Sequence, residues 1–492
     1  MMKSIVKFGL FIFILLGLSS CNDQKENEGS QVSEDSSYEN VGSENSNGEN
    51  SNGENSNGEN SNGESSNSEN SNNESEQDHS SSNSSMDHSS MNEDTTPTQP
   101  VSISWTNPFI LGSEAVDQAL GLDLLPNSDL VIAGRTEGML MNTSNAGFAD
   151  GFVAFIHSHG ELAWVKQFAT PDMEQFLDVI YHPQDMIFAG GFSTGDFAGQ
   201  SNQRFMDGIL VALNLDGTVM WEKLLDLGIV NRLLATPTGV LVVGSYEQDT
   251  GDTAAFAAEY DLNGERIWLQ TFNSPDFDSA TSVTYVNETI YITGFTFGSI
   301  NEQSSQSHMN IFVAAVNSEG ETLWIKEYGG PGDDSAVRID HDGQNLIIAG
   351  YTSDLLGEQH YGSNDIAVLK LDLNGTVIWQ RQFGTEGSEA AYGLAIGSEG
   401  QILLSGRIDE ASWDDRMNEY GDAFLLQLSP TGEMVHVQQY GSDGRDEFVD
   451  VLFDHNDICV AGYIDMGRDG GGENLDILVD RFTSIDSSKR DP

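Results

Sequence analysis

A repeat that begins after Pro100 constrains the fold of this chain more than any other feature. Its period is about 56 residues, and each copy holds four short runs in which apolar and polar residues alternate, separated by turn residues. The copy from Asp365 to Gly406 shows the whole pattern, and Asn374-Gly375 within it is a strong hairpin signal. Four short strands per copy predict one blade of a β-propeller.

Two landmark residues give the number of copies. A tryptophan in the strand after the hairpin turn recurs at Trp105, Trp164, Trp221, Trp268, Trp324 and Trp379, with His436 in the seventh place. A glycine that closes the strand typified by Gln401–Gly406 recurs at Gly134, Gly191, Gly244, Gly294, Gly350, Gly406 and Gly462. Both landmarks predict an all-β fold, a single seven-bladed β-propeller. Because the tryptophan keeps a fixed place in each copy, we expect it to pack between neighbouring blades rather than to bind a sugar.

The ends of the repeat array each hold only part of a blade. The array begins with the Trp strand Ser102–Phe109 and ends with a strand, Asp476–Phe482, that has no Trp partner. We expect these two strands to pair and close the ring, which removes exposed sheet edges. The propeller is predicted over residues 101–485, with 486–492 as a disordered tail, and we expect a monomer.

The repeat resembles the bacterial SBBP β-propeller repeat, with its Asp-Ala-Phe-Val start, Trp, Gly-Gly-x-Gly-Asp-Asp link and Val-x-Gly-Tyr-Thr end. The best copy reads Phe312-Val-Ala, Trp324, Gly329-Gly-Pro-Gly-Asp-Asp334 and Ala349-Gly-Tyr-Thr352. By analogy with NHL-type propellers, the strand typified by Ala391–Ile396 is innermost and the Trp strand outermost. That family has no single assigned activity, so the resemblance implies a fold and no particular function.

This strand order divides the connections between two faces of the ring. One face carries short turns such as Asp372–Gly375. The other, here called the long-loop face, carries the Gly-rich links and the variable loops 137–149, 194–206, 298–309, 353–364, 409–421 and 466–474. Variable loops on a rigid scaffold are where recognition commonly occurs. The sequence therefore predicts a binding or scaffold module whose protein or glycan ligand lies on the long-loop face.

Carboxylates recur on this face, just before the predicted inner strand. Six of the seven copies have one, at Asp117, Glu174, Asp278, Asp334, Glu389 and Asp446, and the third copy has Asn231 nearby instead. We expect these acids to gather around the mouth of the central channel. Oxygen ligands suit Ca²⁺, whereas the alternative is that each acid caps a turn by accepting backbone N–H bonds. Both interpretations stay open, and no other cofactor is predicted.

The formal net charge of -58 excludes some partners and favours others. It repels the phosphate backbone of nucleic acids and favours cations or basic proteins. Of the two cysteines, Cys459 lies in an apolar run and is expected to be a small buried hydrophobe without a disulfide.

The first 21 residues have the parts of a signal peptide. Lys3 and Lys7 precede an apolar run that is too short to span a bilayer, and Leu18-Ser19-Ser20-Cys21 resembles the lipobox of bacterial lipoproteins. The resemblance implies cleavage before Cys21 and acylation of its thiol, so we expect a lipid anchor in the cell envelope. Asn22 favours the outer membrane, on the periplasmic or the surface side.

Residues 22–100 predict a disordered tether. The segment carries 18 acidic residues and one lysine, with a repeated Ser-Asn-Gly-Glu-Asn unit and almost no apolar residues. One island, His79 with Met86, His88 and Met91, resembles the Met-Asp-His-Ser-x-x-Met units of copper-resistance proteins. Thioether and imidazole ligands suit copper, so a copper-handling role is one alternative function, with compositional drift as the simpler explanation.

An enzyme built on the propeller is the other alternative. The propeller sequence has no His-Glu-x-x-His zinc motif, and we predict no catalytic residue. Propellers host many activities, and the fold alone therefore leaves this alternative open.

Overall fold

The computed structural model describes residues 108–248, 251–300, 308–357, 359–409, 413, 420–442, 444–467 and 474–482. These residues form strands and loops without a helix, which confirms the all-β prediction. The leader, Cys21, the tether with His79, Met86, His88 and Met91, Trp105 and the C-terminal tail all lie outside the described residues. Within the described part, no helix is long and apolar enough to cross a membrane.

Twenty-eight strands make up the described structure. They are β1 (Phe109–Leu111), β2 (Asp117–Leu124), β3 (Leu130–Thr136), β4 (Asp150–Ile156), β5 (Leu162–Phe168), β6 (Glu174–His182), β7 (Met186–Ser193), β8 (Asp207–Asn214), β9 (Val219–Leu224), β10 (Ile229–Thr236), β11 (Gly239–Glu247), β12 (Thr253–Asp261), β13 (Arg266–Phe272), β14 (Asp278–Val286), β15 (Thr289–Thr296), β16 (Asn310–Val316), β17 (Thr322–Tyr328), β18 (Asp334–His341), β19 (Asn345–Thr352), β20 (Asp365–Asp372), β21 (Val377–Phe383), β22 (Ser388–Ile396), β23 (Ile402–Asp409), β24 (Asp422–Leu428), β25 (Met434–Tyr440), β26 (Glu447–Asp454), β27 (Asp457–Asp465) and β28 (Leu475–Phe482).

These strands form seven antiparallel sheets of four, which are the seven predicted blades. Blades 1 to 6 are β2–β5, β6–β9, β10–β13, β14–β17, β18–β21 and β22–β25, and blade 7 consists of β26, β27, β28 and β1. The first strand of each blade contacts the first strand of the next, around the whole ring and from blade 7 back to blade 1. The first strands are therefore innermost and the Trp strands outermost, as the sequence predicted.

A β-bulge interrupts the inner strand of every blade, opposite the landmark glycine. A Cβ on any of the seven glycines would lie only 1.8–2.0 Å from a backbone carbonyl oxygen of the inner strand. In blade 5, for example, a side chain on Gly350 would meet the carbonyl of Ser335. The glycine is therefore required because the bulged backbone occupies the space of a side chain.

The tryptophans pack between blades, as predicted from their fixed place. Each ring lies where a Cβ on a turn glycine of the next blade would be, in the pairs Trp164–Gly217, Trp221–Gly264, Trp268–Gly320, Trp324–Gly375 and Trp379–Gly432. All five glycines have positive φ. The indole nitrogens of Trp164 and Trp221 also donate to carbonyls in those neighbouring turns, at 2.9 Å. The contact links the outer edge of one blade to the hairpin turn of the next.

The ring closes through its two ends, as predicted. Strand β1 pairs antiparallel with β28, and Phe109 faces Val479. The paired part of the first strand is Phe109–Leu111, and residues 102–107 of the predicted strand lie outside the described residues. Arg481 of β28 is fully buried and donates to the carbonyl of Ser128 in blade 1, at 2.8 Å, while its guanidinium lies 3.1 Å from Asp454.

Replacing the landmark glycine of blade 5 should destabilise the protein. We expect Gly350→Ala to cost about 3 kcal/mol of unfolding free energy, because its Cβ would overlap the Ser335 carbonyl. Gly343→Asn is the matched control, since Gly343 has open space around it and asparagine tolerates its positive φ. Urea unfolding of the full-length chain measures both, and equal losses would refute the role of the bulge.

Replacing the buried arginine at the ring closure should also destabilise the protein. We expect Arg481→Met to cost about 3–5 kcal/mol, because it leaves the carboxylate of Asp454 buried without this partner. The control is Arg266→Met, which removes a solvent-exposed pair with Asp226 and should cost less than about 1 kcal/mol. A loss at Arg481 no larger than the control's would show that the closure does not depend on this contact.

Candidate functional site

The six predicted carboxylates lie at the long-loop ends of the inner strands. Asp117, Glu174, Asp278 and Asp334 each begin an inner strand, Glu389 is the second residue of β22, and Asp446 directly precedes β26. All six are buried. The structure therefore places one acid in each of six blades, as the sequence pattern indicated.

Each of these carboxylates caps the link that leads into its own strand. It accepts a hydrogen bond, at 2.5–3.0 Å, from the backbone N–H four residues earlier: Ser113 to Asp117, Thr170 to Glu174, Ser274 to Asp278, Gly330 to Asp334, Thr385 to Glu389 and Ser442 to Asp446. In four of the six, the hydroxyl of that earlier residue adds a second bond, from Thr170, Ser274, Thr385 and Ser442. The Ser/Thr-x-x-x-Asp/Glu spacing is a sequence signal for this cap.

These hydrogen bonds are the ones that the turn-capping alternative requires. Each acid is committed to backbone and hydroxyl donors of its own link, and burial keeps it from solvent. Within the described ranges, no group of three or more His, Cys, Asp or Glu side chains is arranged to hold a metal ion. The geometry therefore favours capping over the Ca²⁺ interpretation for this set.

Asn231 does not take the place of the missing acid in blade 3. By strand register, the equivalent position is Gly228, which directly precedes β10. Asn231 lies at the bulge of that strand, and its side-chain amide donates to the carbonyl of Ala280 in blade 4, at 2.7 Å. Blade 3 thus has no side chain at the capping position, and the sequence comparison missed this because the link into blade 3 is shorter.

A second set of buried acids, which the sequence analysis did not single out, begins third strands. Its members are Asp150, Asp207, Asp365 and Asp422, the first residues of β4, β8, β20 and β24. In three blades a glutamine of the outermost strand donates to the acid at 2.6–2.7 Å, in the pairs Gln167–Asp150, Gln382–Asp365 and Gln439–Asp422. The aspartate that starts the repeat unit was the available signal, but strand alternation alone does not show that it is buried.

The two sets of acids meet at junctions between blades. Asp365 of blade 5 and Glu389 of blade 6 both border the space beside Gly384, and Asp422 and Asp446 have the same arrangement at the next junction. Burial raises the pKa of Glu389 to about 7, and nearby Asp365 adds to the rise. Burial likewise raises the pKa of Asp446 to about 7, next to Asp422. These caps therefore bind protons near neutral pH.

An apolar cluster lies near the long-loop ends of the blades. It draws on blades 1, 2, 3, 4, 5 and 7 and consists of Leu120, Leu177, Phe192, Met206, Ile229, Phe277, Phe295 and Met309, with Tyr351 and Val449 partly buried against it. Leu120 and Leu177 are the unpaired bulge residues of their strands. Because its members come from six of the seven blades, the cluster joins the inner parts of these blades through apolar contacts.

One residue further along the inner strands, four charged side chains form a network across the channel. Asp178, Arg232, Arg338 and Asp450 come from blades 2, 3, 5 and 7, and each directly follows a bulge. The Arg232 guanidinium lies 3.1 Å from Asp178 and 2.9 Å from Asp450. Arg338 lies 3.9 Å from Asp450. Arg232 therefore bridges inner strands that are not neighbours in the ring.

Burial sets the electrostatics of this network. It raises the pKa of Asp178 to about 6, against the opposing charge of Arg232. Burial also disfavours the charge on Arg232, but Asp178 and Asp450 outweigh it and raise its pKa above the ordinary value. Burial and the charge of Arg232 lower the pKa of Arg338 to about 10. Asp178 and both arginines are therefore ionised at pH 7.5. Sequence alternation missed the network because each bulge shifts the facing residues by one.

Blades 6 and 7 are joined at the same end by a second charged cluster. Glu447 accepts from the hydroxyl of Tyr463 at 2.7 Å and from Arg407 of blade 6 at 3.1 Å. Arg407 also donates to Asp409 at 2.7 Å, and Arg445 lies 5.7 Å from the centre of the Tyr463 ring. Glu447, Tyr463 and Arg407 are buried. The cluster therefore links blades 6 and 7 through buried charged groups.

The exposed apolar side chains divide unequally between the two faces. Among the described residues, eight large ones lie on the long-loop face, namely Met139, Met141, Phe148, Phe205, Leu355, Tyr361, Tyr420 and Met466. The short-turn face has one, Tyr285, and the others lie on the outermost strands. Three of these residues occupy equivalent positions in different blades, two residues before the third strand of the blade. They are Phe148, Phe205 and Tyr420, which are 78%, 63% and 64% exposed. The sequence analysis identified the loops but not these side chains.

A small cleft lies between blades 2 and 3 on the same face. Its lining includes Phe205, Gly228, Tyr246 and Glu247. It forms where blade 3 departs from the repeat, with glycine in the capping position and a short loop, 248–252, between its second and third strands.

No family model and no curated protein matches this chain. Solved structures similar to it include the WD40 propeller domain of Doa1, at 13% identity and a TM-score of 0.44, with 78% of this chain and 99% of that one covered. Another is the periplasmic gluconolactonase PpgL of Pseudomonas aeruginosa, at 11% identity and a TM-score of 0.43, with 75% of this chain and 96% of that one covered. A third is the polysaccharide lyase Uly1, at 10% identity and a TM-score of 0.44, with 79% of this chain and 94% of that one covered. None of these similarities bears on what this chain binds or does.

The raised pKa of Glu389 predicts a pH-dependent stability. Its pKa is about 7 in the fold and about 4.3 in an unfolded chain, so the folded state binds the extra proton and loses stability as the pH rises through 7. We expect Glu389→Gln to remove about 2 kcal/mol of the stability change between pH 5 and pH 8. The control is Glu386→Gln at an exposed position. Urea unfolding at both pH values measures the difference, and an unchanged pH dependence in Glu389→Gln would contradict the prediction.

Proposed function

We propose that this protein is a cell-envelope binding module whose propeller docks a protein partner through the long-loop face. The observation that carries the proposal is the concentration of exposed apolar side chains there, eight against one on the opposite face among the described residues. Exposed aromatic and methionine side chains on one surface are typical of interaction sites, where they supply most of the binding energy.

The position of these side chains around the ring supports one continuous surface. They come from the long loops of blades 5, 6, 7, 1 and 2, which are consecutive because blade 7 adjoins blade 1. We call this surface the apolar arc. Its loops stand on strands that the landmark glycines and tryptophans hold in place, so the side chains are presented from a rigid scaffold.

Charge favours a basic partner. The chain has a net charge of -58, and an acidic protein attracts a basic partner over distances comparable to the Debye length. Apolar anchors surrounded by negative charge would give such a partner both rapid association and a specific contact. The partner we propose is therefore a basic protein of the cell envelope.

The location we propose follows from the leader and the tether. Cys21 would carry the lipid anchor, and residues 22–100 would form the spacer that follows it. In this proposal the tether holds the apolar arc away from an outer-membrane anchor.

The proposal is tested by photo-crosslinking in cells that make the full-length protein. A benzophenone amino acid is placed at Phe148 or Tyr420 of the apolar arc, and at Ile267 or Ile378 of the outermost strands as exposed controls. We expect the arc positions to crosslink one defined basic protein that the control positions do not. Equal labelling from arc and control positions, or a polysaccharide as the crosslinked species, would overturn the proposal.

The purified partner then gives the energetic test. We expect the double variant Phe148→Ser, Tyr420→Ser to bind it at least about tenfold more weakly than the wild type, because anchors of this kind contribute more than 1 kcal/mol each. Ile267→Ser, Ile378→Ser is the matched control and should bind normally. Unchanged affinity in the arc variant would show that the arc is not the contact surface.

A further inference from the structure

We propose that pairs of buried carboxylates beneath the apolar arc make its affinity for the partner depend on pH, so that the partner binds more weakly at pH 8 than at pH 6. This inference rests on the proposed function, since it concerns the regulation of the same face. The first support is an aspartate that lies two residues before the residue facing the landmark glycine. Five blades have it, namely blades 1, 2, 5, 6 and 7, as Asp150, Asp207, Asp365, Asp422 and Asp476.

These five blades are the ones whose long loops carry the apolar arc. Blades 3 and 4 have Ala254 and Asn310 in the same position. Among the described residues, the long loops of these two blades carry no member of the arc. The aspartate and the exposed apolar side chains therefore occur together, which links the aspartate to the presentation of the arc.

The aspartate closes the turn that presents an arc residue. In three blades it accepts a hydrogen bond, at 2.6–3.0 Å, from the backbone N–H four residues earlier: Ala146 to Asp150, Gln203 to Asp207 and Tyr361 to Asp365. The turns that these bonds close contain Phe148, Phe205 and Tyr361 of the arc. Any strain on the aspartate is therefore passed to the side chain that contacts the partner.

At the junction of blades 5 and 6, this aspartate faces the capping acid of the next blade. A Cβ on Gly384 would meet one oxygen of Asp365 and one of Glu389, so the two buried carboxylates border the same small space. Buried carboxylates this close are far more stable when one of them carries a proton. The same pairing recurs at two further junctions below the arc, between Asp422 and Asp446 and between Asp150 and Glu174.

The two segments that these acids hold lie against each other. The N–H of Ser363 donates to the carbonyl of Gly387 at 2.7 Å, and the N–H of Glu389 donates to the carbonyl of Asn364 at 2.9 Å. Repulsion between the two carboxylates therefore acts directly on the turn that contains Tyr361.

Burial raises the pKa of Glu389 to about 7, and Asp365 and Asp409 add to the rise. The carboxylate of Asp409 also accepts a hydrogen bond from Arg407, at 2.7 Å. His360 lies 3.1 Å from Asp365, and a protonated imidazole there offsets the negative charge at lower pH. Because the folded state holds the extra proton, the junction loses stability as the pH rises through 7.

The pair at the junction of blades 6 and 7 has comparable surroundings. Burial raises the pKa of Asp446 to about 7, next to Asp422. Asp446 accepts a hydrogen bond from the backbone N–H of Asp465 at 3.0 Å. Arg445 directly precedes Asp446, and its guanidinium lies 3.7 Å from Glu447. This pair therefore loses its proton over the same range of pH as the first.

Hydrogen–deuterium exchange of the full-length protein tests the loops without the partner. We expect the protection of the Tyr361 N–H, corrected for intrinsic exchange, to fall about tenfold between pH 6 and pH 8, because Glu389 passes from mostly protonated to mostly ionised. Protection in Glu389→Gln should not change with pH, whereas the control Glu386→Gln, at an exposed position, should respond like the wild type. A constant protection in the wild type, or an equal fall in Glu389→Gln, would overturn the inference.

The purified partner tests the effect on binding. We expect its affinity for the wild type to fall about tenfold between pH 6 and pH 8, and the double variant Glu389→Gln, Asp446→Asn to bind equally at both. The control Glu319→Gln, Glu399→Gln removes two exposed acids of the short-turn face and should keep the wild-type response. A wild-type response in Glu389→Gln, Asp446→Asn would contradict the regulation proposed.

The two proposals fail in different ways. If the arc positions crosslink one basic protein but neither protection nor affinity responds to Glu389, the binding module stands and its regulation by pH is wrong. If the protection of Tyr361 falls as expected but the arc and control positions crosslink alike, the loops respond to pH and the apolar arc is not the contact surface.

Discussion

The close contact between a glycine and a bulged carbonyl, repeated in seven blades, is the constraint on which the rest of the structure depends. It lets the second strand approach the inner strand where the bulge would otherwise push it away. The bulge in turn decides which side chains face the axis, and so places both the apolar cluster and the charged network across the channel.

Much of this architecture could be predicted from the sequence, because the landmarks follow from packing that every blade shares. Five tryptophans meet a turn glycine as Trp324 meets Gly375, and all seven landmark glycines meet a carbonyl as Gly350 meets that of Ser335. The six acids such as Asp117 were also located correctly, at the entries of the inner strands. Features that belong to one blade were harder to predict. The link into blade 3 is shorter and places Gly228, not Asn231, at the capping position, and the other copies of the repeat give no indication of this.

The sequence could not show where a β-bulge interrupts the two-residue alternation of a strand. Strict two-residue alternation would place Asp178 and Arg232 on the wrong side of the sheet, because the bulge before each of them adds one residue to the strand. Burial is equally hidden in the pattern. The acid Glu389 was expected at an open mouth, yet it is buried against backbone donors with its pKa raised to about 7. The structure therefore favours a capping role for Glu389 within its own blade over a role as a metal ligand.

The closure between β1 and β28 has a consequence for how the apolar arc is assembled. The apolar arc runs through blades 7 and 1, and these adjoin only when the last strand pairs with the first. A chain still emerging during synthesis, or one cut short before Phe482, lacks that seam and cannot present the surface as a whole. Assembly of the whole apolar arc thus depends on the pairing of two strands that are far apart in the sequence.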